Sequence, residues 1–268
     1  MLSYFGISIL NNKVIGRIDS IAYEPSHYAA IILPAVIFTI LQFKKYKVKA
    51  VVLLMALVGT VSLSAYLALL IALSIYFSNR YSLIFVVSLL YISFQFLSNF
   101  NDNFFNRVED TKNIFDGSAY VTDVNLTVLS FGTNLEVALN SIEKNPIWGS
   151  GLGGHKNIYD SYYQNSPFRF HYNYGINSIP AHSLLIRIFS EFGLLGIITY
   201  VLFFLKFRVK KSENKIHHLI YLACLSHFLV KCFKLGGYID YGTPFFISLI
   251  IVNYLVFKSK KITVNNSY

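Results

Sequence analysis

Long apolar runs, separated by short polar and basic stretches, are the dominant pattern of this 268-residue chain. Six runs are long enough, or nearly so, to cross the hydrocarbon core of a bilayer, which is roughly 30 Å thick. They lie at 28–43, 50–77, 82–98, 184–206, 216–232 and 244–257. The pattern predicts an all-α fold, a polytopic membrane helical bundle.

The second run, from Ala50 to Phe77, is too long for one comfortable crossing. Its middle carries small and hydroxyl residues that suit a tight turn: Gly59, Thr60, Ser62 and Ser64. We therefore expect two short helices in this run.

Basic clusters beside the apolar runs predict the orientation, because cytoplasmic loops are rich in Lys and Arg. The clusters are Lys44 to Lys49, Lys206 to Lys215, and Lys258 to Lys261. Placing all of them in the cytoplasm requires about seven crossings, two of them within 50–77. Lys231 and Lys234 then lie outside, against the same rule.

This topology divides the chain into three parts. Residues 1–98 form N-terminal membrane helices with a short outer loop at 11–27, residues 99–183 form a large outer loop, and residues 184–268 form C-terminal membrane helices. The large loop holds eight acidic and five basic residues, which favours the outer side. The first ten residues read as the end of a transmembrane helix whose beginning is missing.

Composition agrees with a membrane protein. With 54% hydrophobic and 13% charged residues, the chain has more apolar surface than a soluble domain of this length can bury. The net charge of +10 lies in short clusters beside apolar runs, so we expect membrane lipids and no nucleic acid as partners.

The large loop contains a predicted helix. Thr133 and Glu136 have the spacing of a capping box, and Asn145-Pro146 ends the run. An apolar stripe lies between them at helical spacing: Leu135, Ala138, Leu139 and Ile142. We expect a short amphipathic helix of about three turns on the membrane surface, with Trp148 as an interfacial anchor.

Two further stretches of the loop leave alternatives open. The glycines from Gly149 to Gly154 expose backbone N–H groups that suit phosphate, although a plain glycine turn is the better explanation of this stretch taken alone. The segment 157–180 is rich in Tyr, Phe and Asn, which suits either sugar rings or an interfacial belt.

Ionisable residues gather where the outer segments meet the membrane: Arg17, Glu24, His27, His182, Arg187 and Glu191. Such groups are costly there, which makes them functional candidates. Plain alternatives exist, because Arg187 and Glu191 can neutralise each other along one helix and His182 can be an ordinary interfacial histidine. Two outer segments nevertheless supply the residue types that a diphosphate leaving group needs.

The order of these motifs resembles the family of bacterial O-antigen ligases and O-antigen polymerases. The matching stretches are Pro146-Ile-Trp-Gly149-Ser-Gly151-Leu-Gly153, then Ala181-His182-Ser-Leu-Leu, then Ser190-Glu191-Phe-Gly193-Leu-Leu-Gly196. A further stretch, from Arg17 to Glu24-Pro25-Ser26, is similar to the Arg…EPS segment of many polymerases. Together the matches extend over about residues 17–200.

The resemblance implies a multi-pass glycosyltransferase of the bacterial inner membrane with a periplasmic active face. Its donor would be an undecaprenyl-diphosphate-linked oligosaccharide, and it would need no metal and no cofactor. His182 would deprotonate the acceptor hydroxyl, Arg17 would bind the diphosphate, and Glu191 would orient groups near His182. The implied substrate-binding residues are Glu24, Arg107, Arg169, Arg187, Gly151 and Gly153.

The chain departs from the family pattern in three ways. Ser183 stands where Asn usually follows the histidine. Residues 124–143 lack the Arg that the family commonly has there, so Arg107 or Arg169 would replace it. The family also has more helices before the Arg…EPS segment, which leaves a truncated product, a split-gene half or a short member as alternatives.

Within the family, the Glu24-Pro25-Ser26 segment favours a polymerase that transfers the glycan to a lipid-linked repeat unit. The alternative is a ligase that transfers it to lipid A core. Chain-length regulators and flippases are candidate partners. Another class, a lipid-linked sugar transporter or non-catalytic membrane subunit, would favour paired discontinuous helices or an internal repeat, and the sequence shows no such repeat.

Overall fold

The computed structural model describes residues 24–77, 109–110, 125–240 and 242–265, together with positions 88 and 91. These residues form eight α-helices and one short 3-10 helix, and none of them lies in a β-strand. The prediction of an all-α protein is therefore confirmed for the described part of the chain.

The chain folds into two compact units. The described helices of the first unit are α1 (Pro25–Leu41), α2 (Phe43–Gly59), α3 (Leu63–Tyr76), most of α7 (Lys215–Phe233) and α8 (Thr243–Asn265). The second unit contains α4 (Leu126–Lys144), α5 (His155–Tyr162), the 3-10 helix Pro167–Phe170 and most of α6 (Leu184–Lys206). The three-part division of the chain at residues 98 and 183 stays a prediction.

Helix α1 packs against both α2 and α3. The prediction of a tight turn inside the long apolar run is confirmed, since α2 ends at Gly59 and α3 begins at Leu63. The hydroxyl of Thr60 donates to Leu57 O at 2.7 Å, and the Tyr66 hydroxyl donates to Val58 O at 2.8 Å. These bonds satisfy carbonyls at the C-terminal end of α2, where intrahelical donors are missing.

The lysines from Lys44 to Lys49, predicted as a loop, lie within helix α2. Gln42 separates α1 from α2, and a non-helical residue, Tyr46 (φ −125°, ψ 33°), interrupts α2 between these lysines. Lysine is a good helix former, so its charge reports the side of the membrane and not the end of a helix. Pro25 occupies the first turn of α1, where proline is favoured, so α1 begins inside the segment 11–27, whose outer position stays a prediction.

Two of the described helices, α6 and α7, are long and apolar enough to cross a membrane. Helices α1 and α3 are apolar but shorter. The predicted run at 82–98 lies outside the described residues apart from Ser88 and Tyr91. The structure thus does not confirm seven crossings, and that number stays a prediction.

A fully buried lysine, Lys231, lies on α7 within the first unit. Its ammonium forms an ion pair with Asp240 and donates to the Thr243 hydroxyl at 2.6 Å. His227 Nε2 lies 3.3 Å from the same hydroxyl, and His227 Nδ1 donates to Ala30 O of α1 at 2.9 Å. Because Lys231 is neutralised within the protein, it no longer conflicts with the positive-inside rule.

Replacing Lys231 by Met should destabilise the protein by about 2 kcal/mol, because a partly buried carboxylate loses its counter-charge. Asp240 is partly exposed and can hydrate, which keeps the loss below that of a fully buried pair. Lys260→Met, on an exposed position of α8, is the matched control. The measurement is thermal unfolding in detergent, and equal midpoints for the two variants would contradict the prediction.

Candidate functional site

The second unit is built on α4, which is longer than the sequence predicts. The helix begins at Leu126, and the side chain of Asn125 caps it by accepting from Thr127 N at 3.0 Å. Thr133 lies inside the helix, where its hydroxyl donates to Leu129 O at 2.9 Å. The capping box at Thr133 was therefore wrong, although the predicted end before Asn145-Pro146 is confirmed.

The buried face of α4 also differs from the predicted apolar stripe. Leu139 is exposed, whereas Val137 is buried. Four polar residues, Ser130, Thr133, Asn134 and Ser141, are buried on this helix as well. Thr133 bonds within the helix, and each of the other three bonds to another segment of the second unit, because buried polar groups require partners.

His182 lies two residues before α6 and is buried. Its Nδ1 is 2.8 Å from the hydroxyl of Ser130, and its ring packs edge-on against Phe131. The Asn177 side-chain amide donates to the same hydroxyl at 2.9 Å. His182 also has a positive φ of 60°, an uncommon backbone conformation that tends to occur at functional sites.

The contact between the Ser130 hydroxyl and His182 Nδ1 is compatible with both neutral tautomers of the imidazole. When Nδ1–H donates to Ser130, the lone pair resides on Nε2, which is then the basic atom; when the Ser130 hydroxyl donates to Nδ1, Nε2 carries the proton. Ser130 is uncharged, so this contact orients the ring without adding a counter-charge. Sequence reasoning missed Ser130, which stands in no recognisable motif, and it included Asn177 only in the segment 157–180 considered for sugar contact.

The two glycine motifs pair with each other through the backbone. Helix α6 is interrupted at Gly193, which has φ 59° and ψ −150°. We call residues 146–152 the docked loop, because Pro146 O and Ile147 O accept from the N–H groups of Leu194 and Leu195 at 3.0 and 3.2 Å. In an unbroken helix those N–H groups would bond to the carbonyls of residues 190 and 191.

The carbonyls released by this break are satisfied by the same loop. Ser190 O accepts from Ser150 N at 3.0 Å, and Glu191 O accepts from Gly151 N at 2.8 Å. The Ser141 hydroxyl of α4 also donates to Ser190 O, at 2.9 Å. The docked loop thus replaces the backbone hydrogen bonds that α6 lacks.

The close approach requires glycine on both sides. A Cβ on Gly149 would lie 2.6 Å from Glu191 C, and one on Gly193 would lie 2.6 Å from Ile147 O. Both residues also have positive φ values, which favour glycine. By contrast, a Cβ on Gly151 or Gly153 would meet nothing within 4 Å, although their φ values are positive too.

Gly149→Ala should therefore cost about 3 kcal/mol or more, because strain and a backbone clash combine. Gly153→Ala, with the same sign of φ and open space around it, should cost only about 1 kcal/mol from strain. Thermal unfolding of the two variants in detergent checks the difference. Similar losses would show that docking against α6 does not constrain Gly149.

A second buried histidine, His155, begins helix α5 and connects the elements of this unit. Its Nδ1 lies 2.7 Å from the Ser190 hydroxyl and its Nε2 lies 2.9 Å from Asn134 Oδ1. The Asn134 amide nitrogen donates to Ser130 O and Ile176 O, which fixes the orientation of the amide. His155 Nε2–H therefore donates to Asn134, and Ser190 donates to Nδ1.

Burial lowers the pKa of His155 from 6.5 to about 4; nearby Glu191 opposes this shift and Arg187 adds to it. The ring is neutral near pH 7, in agreement with its hydrogen bonds. Because its folded pKa is depressed, the unfolded chain binds this proton more readily than the folded protein. The stability contributed by His155 is therefore complete above pH 6.5 and is lost as the pH falls toward 4.

His155→Gln should flatten the pH dependence of stability in this range, since Gln can still donate to Asn134 but does not titrate. The wild-type protein should lose about 3 kcal/mol more than the variant over the full range. Thermal midpoints of both proteins, measured from neutral pH down to pH 4, test this. Parallel curves would contradict a neutral buried His155.

Arg187 and Glu191 are paired on α6. Arg187 Nε lies 3.1 Å from Glu191 Oε1, Glu191 is fully buried, and the Arg187 side chain is 14% exposed. A second guanidinium nitrogen of Arg187 donates to Gly236 O at 3.2 Å. The neutralising pair of Arg187 and Glu191, which Sequence analysis gave as the plain alternative, is therefore present. It places the guanidinium of Arg187 on α6, the helix that follows His182.

The structure places the other predicted residues as follows. Arg17 and Arg107 lie outside the described residues. Glu24 precedes α1 in the first unit and accepts from the Ser26 hydroxyl at 3.2 Å. Arg169 is exposed on the 3-10 helix and donates to Gln164 O at 3.4 Å. The roles predicted for all of these residues, and for Gly151 and Gly153, stay predictions.

The aromatic segment forms a small core of its own, made by Tyr159, Tyr163, Phe168 and Tyr174. Two carboxylates accept phenol hydrogens here, Glu136 from Tyr163 at 2.7 Å and Asp160 from Tyr174 at 2.8 Å. Desolvation, together with Asp160, raises the pKa of Tyr174 to about 12. Phe170 and Tyr172 remain about 90% and 85% exposed, so sugar contact stays a prediction.

Among the described residues, no group of three His, Cys, Asp or Glu side chains is arranged to hold a metal ion.

Two helices long and apolar enough to cross a membrane, a helix broken at Gly193 and a buried histidine just before it characterise the described part of this all-α protein. The chain matches the O-antigen ligase family over residues 48–201, more than half of its length, and it belongs to that family. This is a family of bacterial membrane enzymes of the glycosyltransferase or ligase type that act on lipid-linked oligosaccharides. The chain has no significant match among curated proteins.

Proposed function

We propose that this protein is a surface-polysaccharide polymerase that transfers a glycan from undecaprenyl diphosphate to a lipid-linked repeat unit. His182 acts as the general base. The observation that carries this proposal is the buried imidazole of His182, oriented by Ser130 and Asn177. Its position in the family motif, within the matched region 48–201, supports the same role.

The reaction needs one proton acceptor and stabilisation of one leaving group. His182 Nε2 takes the proton from the acceptor hydroxyl, whose oxygen attacks the anomeric carbon of the donor sugar. The bond between that carbon and the diphosphate oxygen breaks, and undecaprenyl diphosphate leaves with the electron pair. A guanidinium stabilises the charge that develops on the diphosphate, and Arg17 is the residue that the family resemblance assigns to this role. No step in this scheme requires a metal.

Glu191 contributes by position rather than by proton transfer. Its carboxylate is buried against Arg187, and its carbonyl accepts from the docked loop. This arrangement orders the first part of α6, which begins two residues after His182. Arg187 provides a partly buried cation beside Glu191, and it is a candidate for contact with the diphosphate.

The proposed reaction also implies how the chain is arranged in the membrane. We infer seven crossings in the bacterial inner membrane, with residues 99–183 in the periplasm, where lipid-linked repeat units are joined. The tight turn between α2 and α3 supports two crossings within 50–77. The basic end of α6 at Lys206 supports a cytoplasmic position for the segment that follows it.

The start of α1 favours a polymerase over a ligase. Glu24, Pro25 and Ser26 correspond to the segment that resembles polymerases, and the Ser26 hydroxyl donates to Glu24. A ligase would use the same donor chemistry but would pass the glycan to lipid A core. Chain-length regulators and flippases are the proteins with which either enzyme would work.

Substituting His182 by Ala, and separately Arg17 by Ala, in a strain that depends on this gene should abolish the long-chain polysaccharide ladder. Loss of the base or of the diphosphate partner should lower transfer by about 100-fold or more. Surface polysaccharide is examined by gel electrophoresis, with protein levels measured by immunoblot. His171→Ala, a histidine of the same outer loop that is half-buried, is the matched control and should retain the ladder.

The pattern of loss separates the two enzymes. A single repeat unit remaining on core supports a polymerase, and loss of all capped core supports a ligase. An unchanged ladder with normal amounts of the His182 variant would refute the base assignment. An unchanged ladder with the Arg17 variant would refute its assignment to the diphosphate.

A further inference from the structure

The end of α7 and the turn after it, residues 232–237, belong to the second unit. Gly236 is buried there. A Cβ on Gly236 would overlap Pro180 O, and it would lie 2.7 Å from Pro180 C and 3.1 Å from Ser183 C. Gly236 therefore packs its bare Cα against the turn from Pro180 to Ser183, which carries His182.

This turn has a backbone conformation that needs support from its surroundings. Ala181 and His182 follow each other with positive φ values of 53° and 60°. Residues with a Cβ adopt that conformation only where neighbouring atoms impose it. Ser183 N donates to Ala181 O at 2.6 Å within the turn. The backbone of Gly236 supplies contacts from outside the turn.

The carbonyl of Gly236 holds a second residue of the site. Gly236 O accepts from Nη1 of Arg187 at 3.2 Å, and Nε of the same guanidinium lies 3.1 Å from Glu191 Oε1. Because the guanidinium is planar and its N–H directions are fixed, two acceptors on different nitrogens define its orientation. Gly236 thus contacts the turn that carries His182 through its Cα and Arg187 through its carbonyl.

We propose that Gly236 is a positioning residue of the active site: its Cα fixes the turn that carries His182, and its carbonyl orients Arg187. Both roles rest on the proposed function, in which His182 is the base and Arg187 contacts the diphosphate. Gly236 acts through its backbone alone, which explains why no side-chain motif in the sequence indicates it.

Gly236→Ala should displace the turn, because backbone atoms rather than a flexible side chain oppose the added methyl group. A displacement of about 1 Å at a catalytic group can lower a rate about 100-fold, and we expect a loss of kcat of that order. Polymer formation is measured with the full-length protein in detergent, from lipid-linked repeat units extracted from a strain that lacks this gene. Rates are taken below the thermal midpoint of each variant and divided by the amount of folded protein, so that a loss of stability alone does not lower kcat.

Gly242→Ala, between α7 and α8, is the matched control. Gly242 has a positive φ of 85°, but a Cβ there would meet only the ring of Phe246, at 3.4 Å, which is ordinary van der Waals contact. The substitution therefore adds strain without a clash, and it should keep the wild-type kcat. Equal losses of kcat in the two variants, or a wild-type kcat in Gly236→Ala, would overturn the proposal.

Leu235→Ala tests the same segment if Gly236→Ala does not fold. Leu235 is 6% exposed, so shortening its side chain loosens the segment without a backbone clash. The kcat per folded protein should fall, though by less than the loss expected for Gly236→Ala. An unchanged kcat in Leu235→Ala would then refute the positioning role.

His182→Ala separates this proposal from the proposed function. Full activity of that variant would refute the base itself, whereas its inactivity together with a wild-type kcat in Gly236→Ala would refute only the positioning role. Since Gly236 acts through His182, the double variant should be little slower than His182→Ala alone. Losses that multiply in the double variant would show that Gly236 acts independently of His182, against the proposal.

Discussion

The site depends on the exchange of backbone hydrogen bonds between α6 and the docked loop. At Gly193 the helix gives up bonds that it would make internally, and Pro146, Ile147, Ser150 and Gly151 supply them from outside. A buried backbone group without a partner costs about 1–3 kcal/mol, so neither the break nor the loop is stable without the other. The interaction also explains why two distant glycine motifs occur together, since Gly149 leaves room for the backbone of Glu191 and Gly193 leaves room for the backbone of Ile147.

This exchange organises the polar interior of the second unit. Ser190, at the break, contributes its carbonyl to the loop and its hydroxyl to His155, and His155 reaches Asn134 on α4. Two histidines are buried in this interior. His155 uses both ring nitrogens for bonds within the unit and stays neutral through desolvation. His182 bonds through Nδ1 to Ser130 and has a positive φ of 60°.

Prediction from sequence succeeded where a local signal was strong. The limits of α6 at 184 and 206, the turn near Thr60, and the end of α4 before Pro146 follow from apolar length, small residues and proline. It failed where polar residues face inward. The start of α4 was misplaced at Thr133 because that hydroxyl bonds within the helix, and helix α5 was not predicted, since the burial of its aromatic residues comes from contacts with other segments.

The sequence by itself determined the all-α class, the family and the identity of His182, Arg187 and Glu191 as candidate residues, because these depend on hydropathy, residue type and spacing. Only the tertiary structure decided which groups those residues meet. Ser130 and His182 are 52 positions apart, and Gly149 and Glu191 are similarly distant. Contacts of that range arise from packing of one helix against another and leave no periodic signal in the chain, so the docking of the glycine loop could be found only in three dimensions.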